Sequence, residues 1–377
     1  MKLAGLLVVA ALLGAQAWAG ASDRSDLNGD VKEVLSNLKG QNFSGVPAVP
    51  GAALVQPPLP QAFLSPEDAK RIEALIAALF LIHQSQDLWP GYDIFFDQML
   101  FGFTDKLTVL INCSNPPKGF LPYTGRLPSG SPTVYVLNAK PDVWMPVFGF
   151  ITFNGRNTFA VEDLTFWGAY YRPGLFPIFV AHEIFHVKAQ HGWNLPPRIQ
   201  TKEYPETDAG NLALAQLEQK LLGDALSAPD DGAAGEKAKD FLSIRDYRYQ
   251  NLDPEFVKVE TLIMESFEGM AHYLDMRLKE LLLKHDPSLG SDFEGTISFC
   301  LETDLLRKLT ESDMSQERYY STGAAQGILL DRFKVPMWKL RVEKGEAATQ
   351  ILEDRFLLSK EEKARRAQAV LKKLPSR

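Results

Sequence analysis

The chain has 377 residues, of which 45% are hydrophobic, 11% aromatic and 23% charged. That balance supplies a full core and excludes a disordered chain. With 40 Lys and Arg against 47 Asp and Glu, the net charge of -7 speaks against nucleic acid or an acidic membrane surface as partner.

Lys2, the apolar run from Leu3 to Ala15 and the small-x-small end Ala17-Trp18-Ala19 are the three parts of a secretory signal peptide over residues 1–19. The run is too short for a permanent membrane helix, and no later stretch has the ~20 apolar residues that one needs. No cysteine lies near the expected cleavage after Ala19. The expectation is a soluble, periplasmic or extracellular protein with no stable membrane anchor after signal cleavage. Residues 20–62 read as a Pro-rich tether, with Pro47, Pro50, Pro57, Pro58 and Pro60 and little apolar period. Cys113 and Cys300 are the two cysteines; export would allow them to pair, and sequence leaves that open.

Order is expected from Ser65-Pro66-Glu67-Asp68, an N-cap with proline in the first turn. Ile72, Leu75, Ile76, Leu79 and Phe80 then repeat at helical spacing. Over residues 105–161 the texture becomes strand-like: 107–111, 133–137, 148–153 and 158–161 are short β-branched or aromatic runs. Asn154-Gly155 between the last two is a tight-hairpin signal. The expected sheet has about four strands. From residue 176 the pattern is helical, with helices over about 177–191, 208–226, 236–250 and 255–284. Residues 341–377 form a charged tail ending in a solvated helix. The expected fold class is α+β, a small mixed sheet followed by a mainly helical lobe, in one domain over 63–340.

The chemistry is concentrated in His182-Glu183-Ile184-Phe185-His186. A His-Glu-x-x-His on a helix puts two imidazoles at i and i+4, one turn apart on one face, within reach of one zinc ion. Glu183 lies beside the first ligand, where its carboxylate can take a proton from an attacking water. The apolar neighbours Val180, Ile184, Phe185 and Val187 point to burial of the helix, where unpaired polar groups are costly. Two distant cysteines cannot build a Cys-rich site, so the third ligand must be His or a carboxylate. The extended pattern ending in a third histidine fails: Ala189 and Gly192 occupy its glycine and histidine positions. His191 reads as a helix C-terminal partner. The remaining option is a glutamate on a later helix.

The segment Glu265-Ser266-Phe267-Glu268-Gly269-Met270-Ala271-His272-Tyr273 resembles the Glu-Gly-x-Ala-x-Tyr helix of gluzincin metallopeptidases. The resemblance implies Glu268 as third zinc ligand, with Glu265 as the alternative. Gly269 would let its helix approach the first ligand helix closely. The stretch from His186 to Glu268 is much longer than in thermolysin-like enzymes, so the helices between 208 and 250 are expected to form an inserted hairpin. Leu88-Trp89-Pro90-Gly91-Tyr92-Asp93, Phe241-Leu242-Ser243-Ile244-Arg245, Tyr320-Ser321-Thr322-Gly323 and Leu329-Leu330-Asp331-Arg332-Phe333 with Trp338 extend the likeness to secreted bacterial, peptidase MA-like zinc peptidases, patchily over residues 85–340. The Gly-Ala-Met-Glu-Asn segment of zinc aminopeptidases is absent.

The resemblance further implies a zincin-like fold, with the His-Glu-x-x-His helix at the junction of sheet and helical lobe, and a peptide or protein substrate. Such enzymes often bring a later tyrosine to the metal, which singles out Tyr320, with Tyr319 competing. His272 could orient the ligand or stabilise an oxyanion. Arg245 and Arg248 are expected to pair with Glu260 or Glu265 as support for the site. A retired zincin that only binds peptides, or an amidase acting on a non-peptide substrate, stays open. Intact Glu183 favours the peptidase.

Overall fold

The computed structural model describes residues 63–85, 87–104, 106–140, 145, 148–162, 171–195, 205–252, 261–294, 301–314 and 317–373. All belong to one compact unit, Pro58–Arg377. The expected signal peptide and tether lie outside the described residues, as do Cys300 and Glu260.

Helix α1 (Pro66–Gln84) begins as its sequence dictates: the Ser65 hydroxyl accepts the Asp68 backbone N–H at 3.0 Å, and Pro66 opens the first turn. Six strands follow: β1 (Gln98–Thr104), β2 (Leu107–Ile111), β3 (Leu121–Pro122), β4 (Val134–Leu137), β5 (Gly149–Phe153) and β6 (Arg156–Val161). They form one sheet in the order β3-β4-β2-β1-β6-β5. Only β1 and β6 run parallel; the other pairs are antiparallel. Asn154 and Gly155, both at positive φ, make the β5–β6 hairpin turn.

The sheet thus has two strands more than expected. β3 is only two residues long. β1 is central and buried on both faces, so it lacks the alternation that marks a half-buried strand. Its polar first residue is anchored internally by one end, the Gln98 amide nitrogen donating to the Phe153 carbonyl and the Thr158 hydroxyl. One sheet face carries Leu100, Leu110, Phe120, Phe153, Ala160 and Cys113, a buried free thiol. The other meets helix α2 (Phe176–Lys188), whose Phe176 ring packs edge-on against Phe101 and Phe103 at 5.4 and 5.3 Å.

The rest of the described chain is helical. α3 (Ala209–Leu226) and α4 (Asp231–Asn251) form a hairpin, each capped by an aspartate, Asp208 and Asp230. Residues 261–264 are helical and run into a π turn (Glu265–Gly269), which continues as α5 (Met270–His285). The short α6 (Gly290–Phe293) and α7 (Leu301–Leu306) precede α8 (Glu317–Arg332). α9 (Trp338–Glu343), α10 (Ala348–Phe356) and α11 (Lys360–Leu371) close the chain. The charged tail is no free appendage. Ala367 and Val370 of α11 are buried, and Arg366 pairs with Glu236 and Asp240 of α4.

Gly269 does not face the first ligand helix as expected; it packs on α8. A Cβ on Gly269 would lie 2.5 Å from the Gly323 Cα, and a Cβ on Gly323 would lie 2.6 Å from the Glu265 carbonyl oxygen. Both obstacles are backbone, so neither can swing aside. In an exposed helix, alanine would be the better residue by about 1 kcal/mol. Here Gly323→Ala should instead destabilise by at least ~1–3 kcal/mol, the usual toll of overpacking. Urea unfolding measures it, and an unshifted midpoint would show that the two helices can part freely.

Candidate metal centre

α2 presents His182 and His186 one turn apart on one face. The helix is pinned from the N-terminal side, where the buried Tyr92 hydroxyl donates to the Ala181 carbonyl at 2.6 Å. The π turn brings in Glu268, buried on α2's polar face. The three ligand atoms form a nearly regular triangle: His182 Nε2 to His186 Nε2 3.0 Å, His186 Nε2 to Glu268 Oε2 3.4 Å, and His182 Nε2 to Glu268 Oε2 3.7 Å. An ion held tetrahedrally at ~2.0–2.1 Å needs donors roughly 3.3–3.4 Å apart. Among the described residues these three are the group that could hold a metal ion.

The outer partners fix which ring nitrogens carry protons. His182 Nδ1 lies 2.8 Å from Asp275 Oδ2, and an ionised carboxylate only accepts, so Nδ1 holds the hydrogen. His186 Nδ1 lies 2.5 Å from Gln190 Oε1. The Gln190 amide nitrogen is committed elsewhere, donating to the carbonyls of Ser266 and Phe267 at 3.2 and 2.7 Å. Its oxygen therefore faces His186, and His186 Nδ1 is the donor. Both Nε2 atoms point at each other and at a carboxylate. The donor set of two nitrogens and one oxygen, converging at this spacing, could hold a divalent metal.

The imidazoles and carboxylates also shift one another electrostatically. Burial pushes the His182 imidazole down, but the carboxylates of Asp275, Glu268 and Glu183 outweigh it and hold the group well above its ordinary value. Burial pushes the Glu268 carboxyl up, and His186 and His182 more than reverse this, drawing it well below the usual carboxylate range. Glu183 is raised, mainly by burial, with the two histidines opposing. The polar triplet is less enclosed than its apolar neighbours suggested: His182, Glu183 and His186 are half-buried, and Val187 is exposed.

Glu183 sits beside the triangle and outside it. Tyr320, on α8, stacks on His182 with ring centroids 6.1 Å apart, and burial together with the nearby Glu268 carboxylate holds its hydroxyl well above the ordinary tyrosine value. Tyr319, the competing tyrosine, is fully buried in the core. His272 shares Asp275 with His182, its Nδ1 lying 3.1 Å from the same Oδ2, and its ring meets Tyr320 edge-on at 6.1 Å. Glu265, the alternative ligand, is engaged elsewhere: it takes both Arg245 nitrogens at 2.6 and 2.7 Å, the Thr322 hydroxyl and the Gln326 amide. Arg245 also reaches Glu218, the partner of Arg248, while Glu260 lies outside the described residues. His191 is exposed in a short 3-10 turn beyond α2.

Sequence reasoning missed Asp275, Gln190 and Phe267, whose ring stacks on His186 at 4.3 Å. Gln190 had a signal, four residues after His186 on the same helical face. Asp275 had a weaker one, two helical turns beyond Glu268. No protein-family model, curated protein or solved structure matches the chain.

The purified protein should hold about one metal ion per chain by elemental analysis. His182→Ala and His186→Ala should each abolish that stoichiometry, and full occupancy of the double variant would remove the assignment. Glu268→Ala should lose the metal while keeping the fold. Glu265→Ala should do the reverse. Breaking a buried ion pair costs ~3–5 kcal/mol, and Glu218 leaves Arg245 a partner, so the loss should fall near the lower end. Chelator titration and urea unfolding of the two variants separate these outcomes.

Proposed function

We propose that the protein is a zinc-dependent hydrolase, a metallopeptidase of the gluzincin type, that cleaves peptide bonds in peptide or protein substrates. One observation carries the reading: two imidazole Nε2 atoms and a glutamate oxygen converge at tetrahedral spacing, with a second glutamate carboxylate alongside but not among them. The succession of sheet, ligand helix, helical hairpin and glutamate-bearing helix supports a zincin-like arrangement. Export to the periplasm or medium belongs to the same reading and rests on residues 1–19. Among the described residues no helix is long and apolar enough to cross a membrane.

Zinc held by His182, His186 and Glu268 would polarise a substrate carbonyl and lower the pKa of a water. The chain's own residues supply the remaining chemistry. Glu183 takes the proton of the attacking water and returns it to the leaving nitrogen. Tyr320 donates a hydrogen bond to the carbonyl oxygen as negative charge builds on it. Asp275 keeps His182 in the Nδ1–H tautomer and raises its basicity as a ligand. His272 acts through Asp275 and Tyr320, fixing their positions rather than meeting the substrate.

Glu183→Gln keeps the side chain's size and removes its basicity. It should retain the metal and lose hydrolysis of a diverse peptide library by at least the ~10²–10⁴-fold that proton transfer supplies. Wild-type protein with full zinc and no cleavage would overturn the peptidase reading, and would favour a peptide-binding protein or a non-peptide amidase.

Tyr320→Phe tests the oxyanion role. The ring and its stacking on His182 remain, so KM should change little while kcat falls by ~10²–10³-fold, the scale of one lost oxyanion donor. A loss confined to KM would make Tyr320 a binding residue instead.

A further inference from the structure

Gln190 stands at the meeting of two ligand-bearing segments. It lies in the 3-10 turn Gln190–Gly192 that follows α2, and it is 3% exposed. Its amide uses both ends. Oε1 accepts from His186 Nδ1 at 2.5 Å, and Nε2 donates to the carbonyls of Ser266 and Phe267 at 3.2 and 2.7 Å. Those two carbonyls belong to the π turn immediately before Glu268. Such a turn leaves its carbonyls less regularly paired than an α-helix does, which makes them available to an outside donor. Phe267 closes the contact from the other direction, its ring lying nearly parallel to His186, 19° apart, at 4.3 Å.

We propose that Gln190 is a positioning residue that clasps the π turn to α2, so that His186 and Glu268 act as one prearranged half of the metal site. The inference rests on the metal reading above. The amide is the chemistry the place requires, because no other side chain of this length both accepts from an imidazole N–H and donates to two carbonyls. A glutamate would serve His186 and repel the carbonyls. A leucine would serve neither. His182 is held separately, by Asp275 from α5. The site is therefore braced at two points, one at each histidine.

Three full-length proteins test this: wild type, Gln190→Leu and Gln190→Glu. Each is titrated with Zn2+ against a chromogenic chelator, and each is loaded with Co2+ for its visible spectrum. Far-UV circular dichroism of the metal-free forms checks that they fold. Gln190→Leu should bind zinc ~10–100-fold more weakly, the usual effect of losing an outer partner. Its Co2+ bands should weaken as Glu268 drifts from the tetrahedral position. Gln190→Glu should also bind more weakly than wild type, although a carboxylate is the stronger acceptor for His186. Gln190→Glu binding as tightly as wild type, or more tightly, would overturn the clasp and leave a simple His186 partner. Gln190→Leu binding like wild type would overturn it as well. If the leucine variant does not fold, the glutamate variant alone decides. Wild-type protein that takes up no metal overturns the metal reading itself, whereas unaffected variants of a metal-binding wild type overturn the clasp alone.

Discussion

The crossing of Gly269 over Gly323 is the constraint on which the site's geometry depends. With no side chain on either residue, the π turn and α8 approach until backbone touches backbone. That closeness has two consequences in opposite directions. One turn before Gly323, α8 delivers Tyr320 to the face of His182. Immediately before Gly269, the π turn delivers Glu268 to both imidazole nitrogens. A bulkier residue at either position would move the ligand and the candidate oxyanion donor together.

The π turn has a cost, because it disturbs the backbone ladder of a long helix at a place where water cannot repair it. A buried polar network offsets that cost. Glu265 at the head of the turn is bound by Arg245, Thr322 and Gln326, and Thr349 links Arg245 back to Gln326. Arg245 and Arg248 share Glu218 on the neighbouring helix. Arginine and glutamate buried this deeply are weak evidence of stability, since desolvation cancels much of their attraction. Their satisfied geometry gives position instead. Glu265 and Glu268, three residues apart, would lie on nearby faces of a regular helix. The wider turn swings them apart, one to the arginines and one to the histidines.

This division explains which parts of the molecule the sequence disclosed. Local chemistry was legible wherever it is self-contained: the Ser65 cap, the Asn154-Gly155 turn, the i and i+4 histidines, the glutamate-glycine pair. What escaped was set by contacts between distant segments. β1 is buried on both faces by the sheet and its cover, so its own residues show no alternation. Tyr319 and Tyr320 are neighbours of the same type, and only the packing of α8 decides that the first fills the core and the second meets His182. Gly269 is a close-approach residue, as its sequence context suggests, but its partner is on α8 rather than α2. Periodicity says that a face is buried and cannot say against what.

The charge within the site gives the last step. Glu183, Glu268 and Asp275 gather three carboxyl groups around the two imidazoles in a largely enclosed space. Among the described residues, the ion-pair partners of Glu268 and Asp275 are histidines, with no arginine or lysine. The chain had arginines to spend on buried carboxylates, and it spent them on Glu218 and Glu265. Carboxylates buried in such a place are costly unless positive charge joins them, from an imidazolium or from a bound cation. One structural carboxylate network is neutralised by guanidinium groups fixed in the protein. The neighbouring one has histidines as its partners, and a divalent ion among their Nε2 atoms would take over the role that the guanidinium groups play next door.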